Sequence, residues 1–125
     1  MKAFDQAIAT RHCQRAVTLA RDLMATGPQY MQKVQQCIKA RSDAMADFAS
    51  PATEPWVLAL AEDMAEMGQP QVGAQQIDAY YYSRAAKDCQ AKNASDAKAV
   101  YAKIKSDKLR APAVQVCKAY GIALP

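Results

Sequence analysis

The sequence predicts an all-α bundle of about five or six helices stapled by two disulfides. Three observations predict it: a chain rich in alanine, apolar residues recurring at helical spacing, and four cysteines that can pair across helical hairpins. Hydrophobic residues make up 51% of the 125 residues, too many for disorder, while aromatics are only 7%. Alanine loses no side-chain entropy in a helix, so alanine-rich segments with few β-branched residues favour that state. One domain over 1–125 is the expected size for such a core. No stretch reaches the roughly 18 apolar residues of a membrane span.

Helix one is expected from Ala3 to Thr26, with Ala9, Cys13, Ala16, Val17, Ala20, Leu23 and Met24 on one face. Gly27-Pro28 then suits a helix end followed by a helix start. Helix two, Pro28 to Phe48, should bury Met31, Val34, Ile38, Met45 and Phe48. The stretch Ser50-Pro51-Ala52-Thr53-Glu54-Pro55 reads as an ordered loop, because its prolines restrict the backbone. Helix three, Pro55 to Met67, carries Trp56, Val57, Leu60, Ala61 and Met64. After Gly68-Gln69-Pro70, helix four runs to Lys92 with Ile77, Tyr80 to Tyr82, Ala85 and Cys89. Ser95 is the expected N-cap of helix five, Asp96 to Lys108, which buries Val100, Tyr101 and Ile104. A short last helix from near Pro112 places Val114, Cys117 and Tyr120 together.

Cysteines 13, 37, 89 and 117 allow three pairings, and hairpin geometry favours one. If the chain folds back at Gly27, Cys13 and Cys37 come level on facing stripes. That meets the Cα separation of roughly 5.5 Å that a disulfide needs. Cys89 and Cys117 then bridge helix four to the last helix. Each closed loop of about two dozen residues should contribute roughly 3 kcal/mol. Zinc suits this pattern poorly, since no two cysteines lie close in sequence and the one histidine, His12, points away from Cys13. Disulfides imply a periplasmic or secreted chain. Met1-Lys2 leads straight into a helical pattern, so an exported chain would have had its leader removed.

No nucleophile–base pair, phosphate loop, dinucleotide fingerprint or haem motif stands out, so no catalytic set, no cofactor and no metal site is expected. His12 reads as a surface or half-buried residue, and Glu62, Asp63 and Glu66 as a solvated helical face. Met64 and Met67 could hold copper(I), but thioethers at helical spacing are better explained as core filler. Residues 54–83 carry five acids and no Lys or Arg, whereas 84–118 carry nine bases against three acids. A nucleic-acid contact by the basic segment is the weakest reading for a disulfide-bonded chain; a chaperone-like or structural envelope role ranks above it.

Tyr80-Tyr81-Tyr82 is the strongest surface signal, because consecutive helical residues point about 100° apart and one narrow face cannot hold three rings. The leading reading puts two of them in the core and one at its edge with a solvated hydroxyl; a partner or homodimer contact is the alternative. The expected contact set for a protein partner, or for a second copy of the chain, is Ser50, Pro51, Thr53, Glu54, Trp56, Gln69, Gln71, Tyr80, Tyr81 and Tyr82. In size, staples and surplus aromatics the chain resembles the small helical periplasmic immunity proteins that neutralise peptidoglycan amidase effectors of type VI secretion. That resemblance implies an inhibitor that occludes a Cys–His cleft with a protruding loop or helix end, here Ser50 to Pro55 or Gly68 to Val72.

Overall fold

The computed structural model describes residues 2–24 and 27–125, and regular structure among them is helical. The elements are α1 (Lys2–Ala9), α2 (Cys13–Asp22), α3 (Pro28–Ala46), a 3-10 turn (Pro51–Thr53), α4 (Glu54–Glu66), α5 (Pro70–Gln90), α6 (Ala94–Tyr101) and α7 (Asp107–Ala119). Helix α5 is the axis: its Tyr80, Tyr81 and Ala85 meet Val57 of α4, Val100 of α6, Ala113 of α7 and Ile104 from the α6–α7 connection. Gly73 permits the close approach of α5 to α4, since a Cβ there would fall 2.8 Å from the Ala61 carbonyl oxygen. A smaller cluster of Phe4, Ala7 and Ala16 joins α1 to α2, with Tyr30 edge-on to Phe4 at 5.4 Å.

Both expected disulfides form, Cys13–Cys37 with Cα atoms 5.7 Å apart and Cys89–Cys117 with 5.1 Å. The second sits inside its own cluster with Ala97 and Ile122. No helix among the described residues is long and apolar enough to cross a membrane.

The seven α-helices among the described residues exceed the five or six expected, because the first expected helix is broken. Arg11 takes φ 67°, Arg11 N–H donates to Ile8 O at 3.2 Å, and His12 N–H donates to Ala7 O at 2.8 Å. This is a Schellman ending with arginine in the left-handed position that glycine usually fills. Thr10 reinforces it by returning its hydroxyl to Gln6 O at 2.7 Å. The expected end at Thr26 lies outside the described residues; α2 stops at Asp22, and Gly27 is extended as the N-cap of α3.

Helix α3 departs furthest from expectation: Cys37 is its one buried residue, while Met31 is 65% and Ile38 41% exposed. Asn93 rather than Ser95 caps α6, which ends at Tyr101 instead of Lys108. Its continuation is captured by tertiary bonds, since the buried Asp78 carboxylate accepts Lys105 N–H at 3.0 Å and Arg110 Nε donates to Ile104 O at 2.6 Å. Helix α7 therefore starts at Asp107 and carries Pro112 within it.

Because α3 buries little besides Cys37, its attachment should depend on the cross-link. Replacing Cys13 and Cys37 together with serine should lower stability by about 3 kcal/mol. Amide exchange should rise across α3 before it rises in α5; uniform loss of protection would mean that α3 is held by packing.

Candidate functional site: the proline loop and the groove beside it

The loop between α3 and α4 stands on buried anchors. Thr53 is 1% exposed, and its hydroxyl donates a bifurcated bond to Ala44 O at 2.8 Å and Asp47 O at 2.9 Å. Ser50 Oγ accepts from Ala52 N–H at 3.3 Å. From beneath, the Tyr80 hydroxyl donates to Ser50 O at 2.7 Å while its ring meets Phe48 edge-on at 5.5 Å. Tyr81 donates to Glu54 Oε1 at 3.3 Å, and Arg84 Nη1 donates to Glu54 Oε2 at 2.8 Å. Burial raises the pKa of both phenols above the ordinary tyrosine value, so they remain hydrogen-bond donors. Pro51, Ala52 and Pro55 are left exposed on this foundation.

The expected contact set is thereby divided. Thr53, Tyr80 and Tyr81 are buried beneath the loop and position it. Tyr82 is half-buried against the core, and Trp56 is half-buried with the Arg11 guanidinium 5.5 Å from its ring centroid. Ser50, Pro51 and Glu54 remain at the loop. Gln69 and Gln71 are exposed at the far end of α4, which at 1.5 Å per residue lies about 20 Å away. The two ends of α4 are separate surfaces.

Beside the loop, α3, α4 and α5 enclose an open groove of about 670 Å³. Ile38, Met45 and Phe48 form one wall and Val57, Leu60 and Met64 the other, with Arg41, Ser42 and Gln76 as polar members. Phe48 and Val57, which line the groove, flank the loop in sequence. The groove's signal in the sequence was the apolar stripe of α3, which reads as core until the burial of each residue is known.

A second feature lies where α2 meets α4. His12 is 7% exposed, not a surface residue: Glu62 Oε2 lies 2.8 Å from its Nε2, and Thr10 Oγ1 lies 2.6 Å from its Nδ1. Arg15 donates to Glu66 through Nε at 3.0 Å and Nη2 at 2.6 Å. Asp63, expected on a solvated face, has a side chain only 2% exposed. Its Oδ2 accepts Arg15 N–H at 3.4 Å, but Oδ1 has no hydrogen-bond partner. Arg15 Nε stays 3.7 Å from that oxygen because its donors are engaged by Glu66. Burial raises the Asp63 pKa above the usual carboxylate value, against the lowering effects of the Arg15 N–H and the charges of His12 and Arg15. Among the described residues no group of three or more His, Cys, Asp or Glu side chains could hold a metal ion.

No protein-family model matches the chain, and no curated protein or solved structure matches it either.

The raised Asp63 pKa means that the folded state holds this proton more tightly than the unfolded chain does. Its stabilising effect is present at acid pH and is lost as pH rises from the ordinary carboxylate value through the raised one. Asp63→Asn, which keeps the shape without the charge, should therefore melt a few degrees above the parent at pH 7. The gap should close in acid; an equal gap at pH 3 and pH 7 would exclude the charge as its cause.

Proposed function

We propose that this chain is a protein-binding module of the cell envelope, an inhibitor that blocks a secreted peptidoglycan-degrading enzyme by presenting the loop between Ser50 and Pro55. The observation that carries this reading is the pre-ordering of that loop: exposed prolines sit on a buried threonine and a buried tyrosine that both bond to backbone carbonyls. A segment already fixed in one shape loses little entropy when it enters a cleft, so more of its contact energy appears as affinity. Two disulfides support work in an oxidising compartment, where the core does not have to hold α3 unaided. The groove, whose lining residues Phe48 and Val57 flank the loop in sequence, adds apolar area and widens the contact beyond the loop tip.

The test is release of peptides from purified sacculi by a panel of Cys–His amidases of secreted effectors, with increasing amounts of the oxidised chain. One enzyme should be inhibited at one-to-one stoichiometry. Pro51→Ala with Pro55→Ala should weaken that inhibition about tenfold by loosening the loop. Tyr80→Phe, which removes the bond to Ser50 O, should weaken it about fivefold. Unselective, substoichiometric effects would point instead to a chaperone-like envelope role. Inhibition untouched by the loop variants would remove the loop from the contact.

A further inference from the structure

The two disulfides sit in unlike surroundings. Cys89 and Cys117 are both 0% exposed and pack with Ala97 and Ile122. Ala85 and Ala113, one turn before each on its helix, belong to the main core, so apolar contact joins α5 to α7 whether or not that bond is present. Cys37, 5% exposed, is the one buried residue of α3. Near it the helix otherwise rests on the half-buried Tyr30 and Val34, while Met31 and Ile38 stay exposed. The far end of α3 is held separately, by Met45 against the main core and by the Thr53 hydroxyl on Ala44 O. A tilt of α3 about that end uncovers Cys37, whereas uncovering Cys89 or Cys117 means opening the core.

We infer that Cys13–Cys37 is a redox-labile bond: a dithiol reduces it while Cys89–Cys117 stays closed, and α3 then swings from Ala44 and Met45, taking one wall of the groove with it. Ile38 and Arg41 are the wall residues nearest the broken bond. This holds whether or not the loop is an inhibitor's contact.

The placement of each sulfur sets the order of events. Cys37 is the more exposed of its pair, and Lys33 and Arg41 stand one turn before and after it, the first paired with Asp5. Their charge draws an incoming thiolate to that side. The thiolate attacks Cys37 Sγ and forms a mixed disulfide, while the electron pair of the broken S–S bond leaves on Cys13. Cys13 is the first residue of α2, where free N–H groups and the positive end of the helix dipole stabilise a thiolate. The carboxylates at that end are engaged, Glu62 by His12, Glu66 by the Arg15 side chain and Asp63 by the Arg15 N–H. Cys89 and Cys117 lie in the last turns of α5 and α7, where the dipole opposes such a charge. The second thiolate of the dithiol then attacks the reagent's own sulfur in the mixed disulfide, releasing Cys37 and closing a cyclic disulfide. Two electrons and two protons pass from the dithiol to the protein, which ends with two thiols.

The probe is dithiothreitol, added in graded amounts to the oxidised protein and quenched with N-ethylmaleimide, with intact mass and peptide mapping as the readout. A species labelled on Cys13 and Cys37 alone should build up before any with four labels, the first bond opening at least about tenfold faster than the second. In guanidinium chloride strong enough to unfold the chain, the two bonds should open at similar rates, because the difference lies in the fold. Glutathione, quenched the same way, should leave its mixed disulfide on Cys37. In the doubly labelled ¹⁵N protein, amides from 30 to 41 should lose protection while those of α5 and of residues 50–53 keep it. Cys13→Ser with Cys37→Ser should show the same pattern, its remaining disulfide opening as slowly as in the parent. Four labels appearing together, Cys89–Cys117 opening first, or protection of 30–41 retained after selective reduction would overturn the inference. A mixed disulfide on Cys13 would reverse the direction of attack. The sacculus assay decides the loop on its own.

Discussion

Cys37 is the one residue that α3 buries, and its bond to Cys13 holds that helix against α2 together with the half-buried Tyr30 and Val34 that rest on the Phe4 cluster. A helix tied at its middle rather than packed along its length leaves its apolar stripe only partly covered. From that single constraint the rest of the surface follows. The uncovered stripe becomes the wall of the groove, and the end of α3 delivers Phe48 and the proline loop to the head of α5. Were α3 packed tightly, Ile38 and Met45 would fill the space that is now open. The cross-link therefore does what a larger core would otherwise do, and leaves room that a larger core would close.

The fold was legible wherever local chemistry acts alone. Prolines at the starts of α3 and α5 and glycine after α4 mark their boundaries correctly, because each acts through its own backbone preference. The same hydrogen-bond pattern that ends α4 at Gly68 also ends α1 at Arg11 and α5 at Lys92, where no glycine announces it. A side chain in the left-handed region is disfavoured by about 1–2 kcal/mol, so sequence reading gives it little weight. At Arg11 the surroundings offset this: Thr10 bonds back into α1, the guanidinium lies over Trp56, and His12 reaches Glu62. The end of α6 was hidden for a related reason, since it depends on Asp78 from a different helix.

The candidate site was half legible. The two prolines marked an ordered loop, and Pro51 and Pro55 do stand exposed on buried anchors there. Burial bears out the reading of two rings in the core and one at its edge, with Tyr80 and Tyr81 buried and Tyr82 half-buried. Tyr80 and Tyr81 are accommodated because one hydroxyl finds Ser50 O and the other finds Glu54, so a wide buried sector tolerates both. Both hydroxyls thereby hold the proline loop from beneath. Glu62, Asp63 and Glu66 look equivalent as letters on a helix, yet Asp63 alone turns inward, toward α2. Nothing in a one-chain sequence separates them, because burial is decided by the neighbouring helix.

Asp63 also shows how a small chain tolerates apparent defects on more than one side. A buried carboxylate oxygen without a hydrogen-bond partner occurs on α4 at Asp63 Oδ1 and on α5 at Asp88 Oδ2, and burial raises the pKa of both groups. Left-handed side chains end α1 at Arg11 and α5 at Lys92. Each of these features disfavours the folded state. The compensation is local in every case: the left-handed residues let two backbone hydrogen bonds close each helix end, and nearby cations ease the carboxylates, Arg15 at Asp63 and Arg84 at Asp88.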